Sequence, residues 1–283
     1  MKIVTCIYNE KEYAGVLMED GKVCLLGGVS SVNEIIDNGG VKEGNIDNGR
    51  MVEADQVRML APIPRPKQDV ICLGINYADH AKESEKFDKE AFGGERPKAI
   101  YFSKRVNFAP GDGWDICGHF DIVDSLDYES ELGVIIGKDA KDVPLEEVKD
   151  YIFGYTVIND ISARNVQTSH KQWYFGKSLD DFTPMGPCIV TADEIDYPPA
   201  LRITSKVNGE LRQNGTTDML ITDIDHIISE LSHGMTLKAG TIIATGTPSG
   251  VGMGMDPPCF LKEGDVVECE IEKIGKLRNK IVK

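Results

Sequence analysis

A mainly β fold with peripheral helices is what this sequence predicts, and three observations carry that expectation. Short runs rich in Val, Ile, Tyr and Thr recur along the chain, from "KIVTCIY" near the start to "DVVECEI" near the end. Turn dipeptides sit between such runs, Asp20-Gly21 and Asn208-Gly209 being the clearest. Segments with helical periodicity are few and do not alternate with the strands, as a parallel α/β sheet would require.

In order along the chain, "KIVTCIY" and "YAGVLMEDGKVCLL" read as strands, the second turning at Asp20-Gly21. "SSVNEIIDNGG" reads as a short helix with a serine cap and a glycine stop. Pro62, Pro64 and Pro66 in "LAPIPRPKQD" forbid a helix and suit an extended connector. A boundary there separates a small N-terminal α+β domain, residues 1–61, from a main domain, residues 62–283. The main domain opens with the strand "DVICLG" and the helix-like "YADHAKESEKF". Strands follow at "AIYFSK", "YESELGVIIG", "IFGYTVIND", "GPCIVT", "LRITSKVNGELRQ", "GTIIATG" and "DVVECEIEKIGKLRNKIV". Helices are expected at "PLEEVKDY", with Pro144 in its first turn, and at "TDIDHIISELSHG", capped by Thr222 or Asp223. Most pairing should be antiparallel.

Composition excludes several classes. A formal charge of −15 with no basic run argues against nucleic-acid binding. The start reaches charge at Glu10 before a signal core develops, and no apolar run is long enough to span a membrane. Seven scattered cysteines without CxxC spacing read as reduced thiols of a cytoplasmic protein.

The chemistry gathers in a few stretches. In "LDYESELGVIIGK", Glu129 and Glu131 are two apart and share one face of a strand. Two like charges side by side need either water or something positive between them. Asp160, after the strand "IFGYTVIN", is either a third acid converging on that pair or the cap of the following turn. Three carboxylates without Cys or His would make a hard-oxygen site for Mg²⁺ or Mn²⁺, with Ca²⁺ also suited. In "GINYADHAKE", His80 and Glu83 are helical neighbours: a solvated surface pair, or an imidazole oriented by a carboxylate for general-base work. "KFDKEAFGGERP" after it has the character of a closing lid. Lys177 in "FGKSLDDFTPMGP" is a surface lysine or a neutraliser of a developing oxyanion. The glycine-rich "ATGTPSGVGMG" matches neither the P-loop nor the dinucleotide fingerprint, although Thr247 and its backbone amides suit a carboxylate. Tyr77, Phe87, Phe92 and Tyr174 are either the far wall of a site or plain core, and Gln213 and Asn214 are candidates to reach it.

Together "GINYADHAKE", "DYESELGVIIG", "NDISARNVQ", "GKSLDDFTPMGP" and "TGTPSGVG" occur in the order used by the fumarylacetoacetate hydrolase family, which the chain resembles from about Asp69 onward. The resemblance implies a β-roll catalytic domain, a homodimer and a divalent metal. It assigns Glu129, Glu131 and Asp160 as metal ligands, and His80 and Glu83 as the water-activating dyad. Lys177 would steady the oxyanion or enolate, and Arg164, Gln167 and Thr247 would contact substrate. One departure stands out: Leu73 to Asn76 carries no acid where the hydrolase that names the family has a further aspartate. That points away from fumarylacetoacetate and towards the smaller three-carboxylate type, similar to acylpyruvases and oxaloacetate decarboxylases. The implied activity is C–C bond cleavage in a small 2-oxo acid through a metal-stabilised enolate. Isomerisation or decarboxylation of a hydroxy-dienedioate is the alternative, and a non-catalytic metal-binding protein the remote one.

Overall fold

The computed structural model describes residues 1–94 and 98–283. The lid expected over Lys86 to Pro97 therefore falls partly outside the described residues. Among the described residues, three β-sheets of eleven, five and two strands dominate, with short helices at their margins. Pairing among these residues is antiparallel except where Ile242–Ala244 lies beside Val70–Gly74 and Gly275–Val282 beside Asp115–Cys117. Among the described residues no helix is long and apolar enough to cross a membrane. All seven cysteines are free.

The strand Ser130–Ile136 is the keel. All seven of its residues are buried, because it runs through the interior of the large sheet between Ile152–Asn159 and Ile242–Ala244. One of its faces meets the five-stranded sheet through Arg202–Val207 and Val266–Ile271. Ile135 joins the other core, with Ile158, Ile189 and the buried face of the helix Val32–Asp37. That helix is capped as its sequence suggests, the Ser31 hydroxyl accepting from Glu34 N–H at 3.2 Å. The hairpin at Asn208-Gly209 has both residues at positive φ, the backbone that an Asn-Gly turn supplies at little steric cost.

The eleven-stranded sheet runs across the proline-rich connector. Lys2–Tyr8 pairs with Met185–Thr191, with Lys2 opposite Val190 and Ile3 opposite Ile189. The first strands thus extend the sheet that carries the site. One expected element differs in kind: the helix at "PLEEVKDY" is a 3₁₀ helix over Leu145–Tyr151, with Pro144 as its N-cap rather than in its first turn. The strand Ile152–Asn159 starts at the next residue.

Candidate active site

Strand ends bring the acids together. Glu129 immediately precedes the keel strand and Glu131 is its second residue. Asp160 follows the neighbouring strand, and the bend there is tied back to the keel. Asp160 N–H donates to Glu129 O at 2.8 Å, and Asn159 Oδ1 accepts from Glu129 N–H at 3.1 Å. One oxygen from each of Glu129, Glu131 and Asp160 lies within 4.8 Å of the others, and all three residues are buried. Two ligands on opposite sides of a hard cation at about 2.0–2.6 Å would cover that span.

Cations thread between these carboxylates. Lys177 Nζ, itself buried, lies 2.7 Å from Glu129 Oε2 and 2.8 Å from Asp160 Oδ2. Lys104, fully buried at the end of the strand Ile100–Lys104, pairs with Asp160 Oδ1 and donates to Ile161 O at 2.9 Å. Arg164 Nη2 lies 2.6 Å from Glu129 Oε1 and 2.9 Å from Asp127 Oδ2. Among the described residues, four carboxylates (Asp127, Glu129, Glu131, Asp160) thus meet three cations (Lys104, Arg164, Lys177), leaving one formal negative charge over.

The excess falls on Glu131. Its hydrogen bond among the described residues is from Gly246 N–H at 2.8 Å. Burial, and then the charges of Asp160 and Glu129, push its carboxyl well above the usual range. Burial would raise Glu129 too, but Lys177 and then Arg164 outweigh it and hold that carboxyl below its ordinary value. Burial presses the Lys104 ammonium down, whereas at Lys177 the charges of Asp160 and Glu129 overcome burial and raise it. A divalent cation fits this donor set: hard oxygens only, with one carboxylate, Glu131, that makes no ion pair among the described residues.

Over this floor lies the helix Ala78–Phe87, followed by the short helix Lys89–Phe92. His80 is buried and its Nδ1 lies 3.7 Å from Glu83 Oε2. Glu83 in turn accepts from Gly250 N–H, at 3.0 Å to each oxygen. The predicted helical spacing therefore does place this pair at the site rather than in solvent. Trp173 packs on Phe92 and Phe102, with ring centroids 5.6 and 5.4 Å away. Gly74 makes room for it, since a Cβ there would sit 2.2 Å from the indole. Between floor and cover is a cavity of about 20 Å³, room for a single water-sized occupant.

His80, Glu129, Glu131, Arg164, Gln167, Lys177 and Thr247 all line this cavity, with Glu83 and Asp160 directly behind it. The nine residues singled out in the sequence converge. Their hydrogen bonds refine the picture. The Thr247 hydroxyl donates to Ser130 O at 2.8 Å and accepts from Gln213 Nε2 at 2.6 Å, so its proton is already engaged. Gln167 Oε1 accepts from Arg164 Nη1 at 3.1 Å. Of the aromatic candidates, Phe92 lines the cavity and Tyr174 is exposed. Gln213 reaches the site through Thr247, while Asn214 accepts from Arg202 outside it. Sequence reasoning missed Lys104, Asp127 and Trp173. The signal for Asp127 was present: it stands two residues before Glu129, as Glu131 stands two after.

The model of the fumarylacetoacetate hydrolase C-terminal domain matches residues 69–282. The chain belongs to the fumarylacetoacetate hydrolase family. Within that family it is 46% identical over 231 residues to oxaloacetate tautomerase YisK of Bacillus subtilis, covering 82% of this chain and 75% of that one. A fumarylacetoacetate hydrolase from psychrophilic Exiguobacterium antarcticum superposes with a TM-score of 0.88 at 40% identity, covering 100% of this chain and 99% of that one. A 2-hydroxyhepta-2,4-diene-1,7-dioate isomerase from Mycobacterium marinum does so at 0.78 and 29% identity, covering 100% and 98%. These family members are named as a tautomerase, a hydrolase and an isomerase, and the mainly β architecture is the family's own.

Proposed function

We propose that this family member is a divalent-metal-dependent enzyme acting on a small 2-oxo acid, oxaloacetate in the first place, through its enolate. The observation that carries this is the buried Glu129–Glu131–Asp160 cluster, in which Glu131 makes no ion pair among the described residues, beside a histidine backed by a carboxylate. Glu129, Glu131 and Asp160 would hold Mg²⁺ or Mn²⁺, and the oxygen-only set also suits Ca²⁺. When bound, the ion supplies Lewis acidity that lowers the cost of forming an enolate next to a carboxylate.

The protein's own groups do the rest. His80 is the base that takes a proton, either from the carbon between the two carbonyls of oxaloacetate or from a water that attacks a distal carbonyl. Glu83 orients the imidazole and favours its charged form once the proton arrives. Lys177 sets a fixed positive charge against the anion that develops at the enolate oxygen. Trp173 and Phe92 close the site and keep bulk water from the carbanion.

One set of groups thus serves keto–enol exchange of oxaloacetate, its decarboxylation, and C–C hydrolysis of an acylpyruvate. The name of the Bacillus subtilis relative favours oxaloacetate as the first substrate to try. Isomerisation of a hydroxy-dienedioate is the second reading, supported by the isomerase from Mycobacterium marinum and requiring the same proton transfer at His80. A purely metal-binding role leaves the buried His80 and its partner Glu83 without a task.

The test follows the ultraviolet absorbance of oxaloacetate and of acetylpyruvate with Mg²⁺, with Mn²⁺ and with chelator, while NMR identifies the products. Metal-dependent turnover of either is the expected result. Enol–keto exchange without fragments identifies a tautomerase; pyruvate identifies a cleaving enzyme. Failure on both, with no metal bound in titration calorimetry, would overturn the reading.

A further inference from the structure

Asp127 is buried completely and its carboxylate meets more donors than any charge balance at the site requires. Oδ1 accepts from Tyr128 N–H at 2.9 Å and Gly252 N–H at 2.6 Å. Oδ2 accepts from Met253 N–H at 3.1 Å and from Arg164, whose Nε and Nη2 both lie at 2.9 Å. Two separate pieces of the molecule thereby hang on one side chain.

The first is the glycine loop Gly250–Gly254. Asp127 holds it at Gly252 and Met253, and the neighbouring Tyr128 hydroxyl donates to Gly250 O at 2.9 Å. The same loop is the seat of the covering helix. Glu83 accepts from Gly250 N–H, and Gly254 lies so close beneath it that a Cβ there would be 2.6 Å from the Glu83 carboxyl carbon. Gly252 is equally constrained, its would-be Cβ falling 2.7 Å from Asp127 Oδ1. The loop is therefore clasped between the segment Asp127–Tyr128 and the helix that bears His80. The second piece is Arg164, whose guanidinium is aimed by Asp127 towards Glu129 and Gln167.

We propose that Asp127 is a positioning residue that seats the glycine loop on which Glu83 docks and aims Arg164 at Glu129, so that one carboxylate aligns the covering helix with the floor of the site. Asp127 touches neither the cavity nor His80; it acts through the loop and the guanidinium. As a role in turnover this rests on the reading above, but its structural half does not.

The experiment is hydrogen exchange read by mass spectrometry on the wild type and Asp127→Asn, with steady-state kinetics alongside. Asparagine keeps the shape and loses the charge that holds Arg164 and the backbone amides of Tyr128, Gly252 and Met253. The expected result is exchange about tenfold faster in peptides spanning residues 78–92 and 248–256, with the strands 130–136 and 152–159 unchanged. With it should come a fall in kcat of roughly 100-fold with KM within about threefold, the pattern of misplaced reacting groups. Unchanged exchange over 78–92 would overturn the coupling, and a uniform rise across the sheet would reduce Asp127 to a structural residue.

Should Asp127→Asn not fold, wild-type exchange in rising denaturant decides the matter. The Gly252 and Met253 amides should open together with Ala81, whose N–H donates to Tyr77 O inside the covering helix. Independent opening of loop and helix would overturn the proposal. If the wild type turns over no 2-oxo acid, the functional reading falls while these exchange results still stand or fall by themselves.

Discussion

The floor and the cover of the site are built on opposite principles. The floor is a closed ionic lattice in which Lys104, Arg164 and Lys177 are each paired to buried carboxylates. The cover is held mainly by apolar contact among Phe92, Trp173, Val251 and Met253, with Glu83 its polar anchor on the glycine loop. Charges withdrawn from water are stable only when every partner is present. Apolar contacts are non-directional and add up from small parts, so a cover built on them can part and re-form without leaving an orphaned charge. With room for only a water-sized occupant between the two, the 2-oxo acid proposed above would enter only if they separated, and the cover is the part built to yield.

The largest effect should come from breaking the floor. Lys104→Met removes one partner of Asp160 from a site with no access to water. The pairing with Lys177 survives, so the loss should lie near the lower end of the range for a broken buried pair, about 3 kcal/mol. Urea unfolding measures it through the midpoint at constant m-value. A loss under about 1 kcal/mol would mean that the floor does not depend on complete pairing, and the contrast with the cover would fail.

Breaking the cover's chemistry should leave the floor intact. His80→Ala is expected to lower turnover by roughly 10²–10⁴-fold, the usual contribution of a general base. Metal affinity, read by calorimetry with Mn²⁺, should stay within about threefold of wild type, because none of the floor's ion pairs includes His80. A parallel collapse of metal binding would show that the two halves are not separable.

These two experiments also mark what could be read from the amino-acid sequence. The common face of Glu129 and Glu131 was legible from strand alternation, and the adjacency of His80 and Glu83 from helical spacing. That Asp160 joins the two glutamates, and that the histidine pair serves the same site, followed only from the family resemblance. Lys104 was not, since a lysine ending the run "AIYFSK" looks like any exposed strand end; its burial is decided by Asp160, which is 56 residues away. The Thr247 hydroxyl looks available to substrate in the sequence, but it donates to Ser130 O and accepts from Gln213, which lies on another sheet. The segment Leu145–Tyr151 reads in sequence as a helix with Pro144 in its first turn, and it folds as a 3₁₀ helix that gives way directly to the strand Ile152–Asn159. Local rules described what a side chain can do; long-range partners determined what it is left free to do.

A smaller effect separates shape from charge. Gly74→Ala places a methyl where Trp173 sits, at 2.2 Å from the ring. The indole must shift, at a cost of about 1–3 kcal/mol for an overpacked contact. The displacement falls on the cover, so the fluorescence of Trp173 should change while metal affinity holds. Placing Trp114→Phe in the background isolates the signal, since the chain has 2 tryptophans. An unaltered emission spectrum would mean that the aromatic cluster does not constrain the cover.

The smallest effect is the most selective between routes of attachment. Lys86 on the covering helix reaches Asp256, beyond the glycine loop, at 3.1 Å, with side chains 68% and 84% exposed. This pair joins the same two segments as Glu83 and Gly250, but on the outside and in water. An exposed ion pair contributes at most about 1 kcal/mol, and high salt weakens it further. Lys86→Ala should therefore shift stability by less than about 0.5 kcal/mol and leave turnover unchanged at low and high ionic strength alike. Glu83→Gln, by contrast, keeps an oxygen for Gly250 N–H but removes the charge facing His80, and should lose turnover without freeing the helix. If Lys86→Ala instead matched it in lost activity, the cover would be fastened from the solvent side, and the buried clasp at Gly250 would not be what aligns His80.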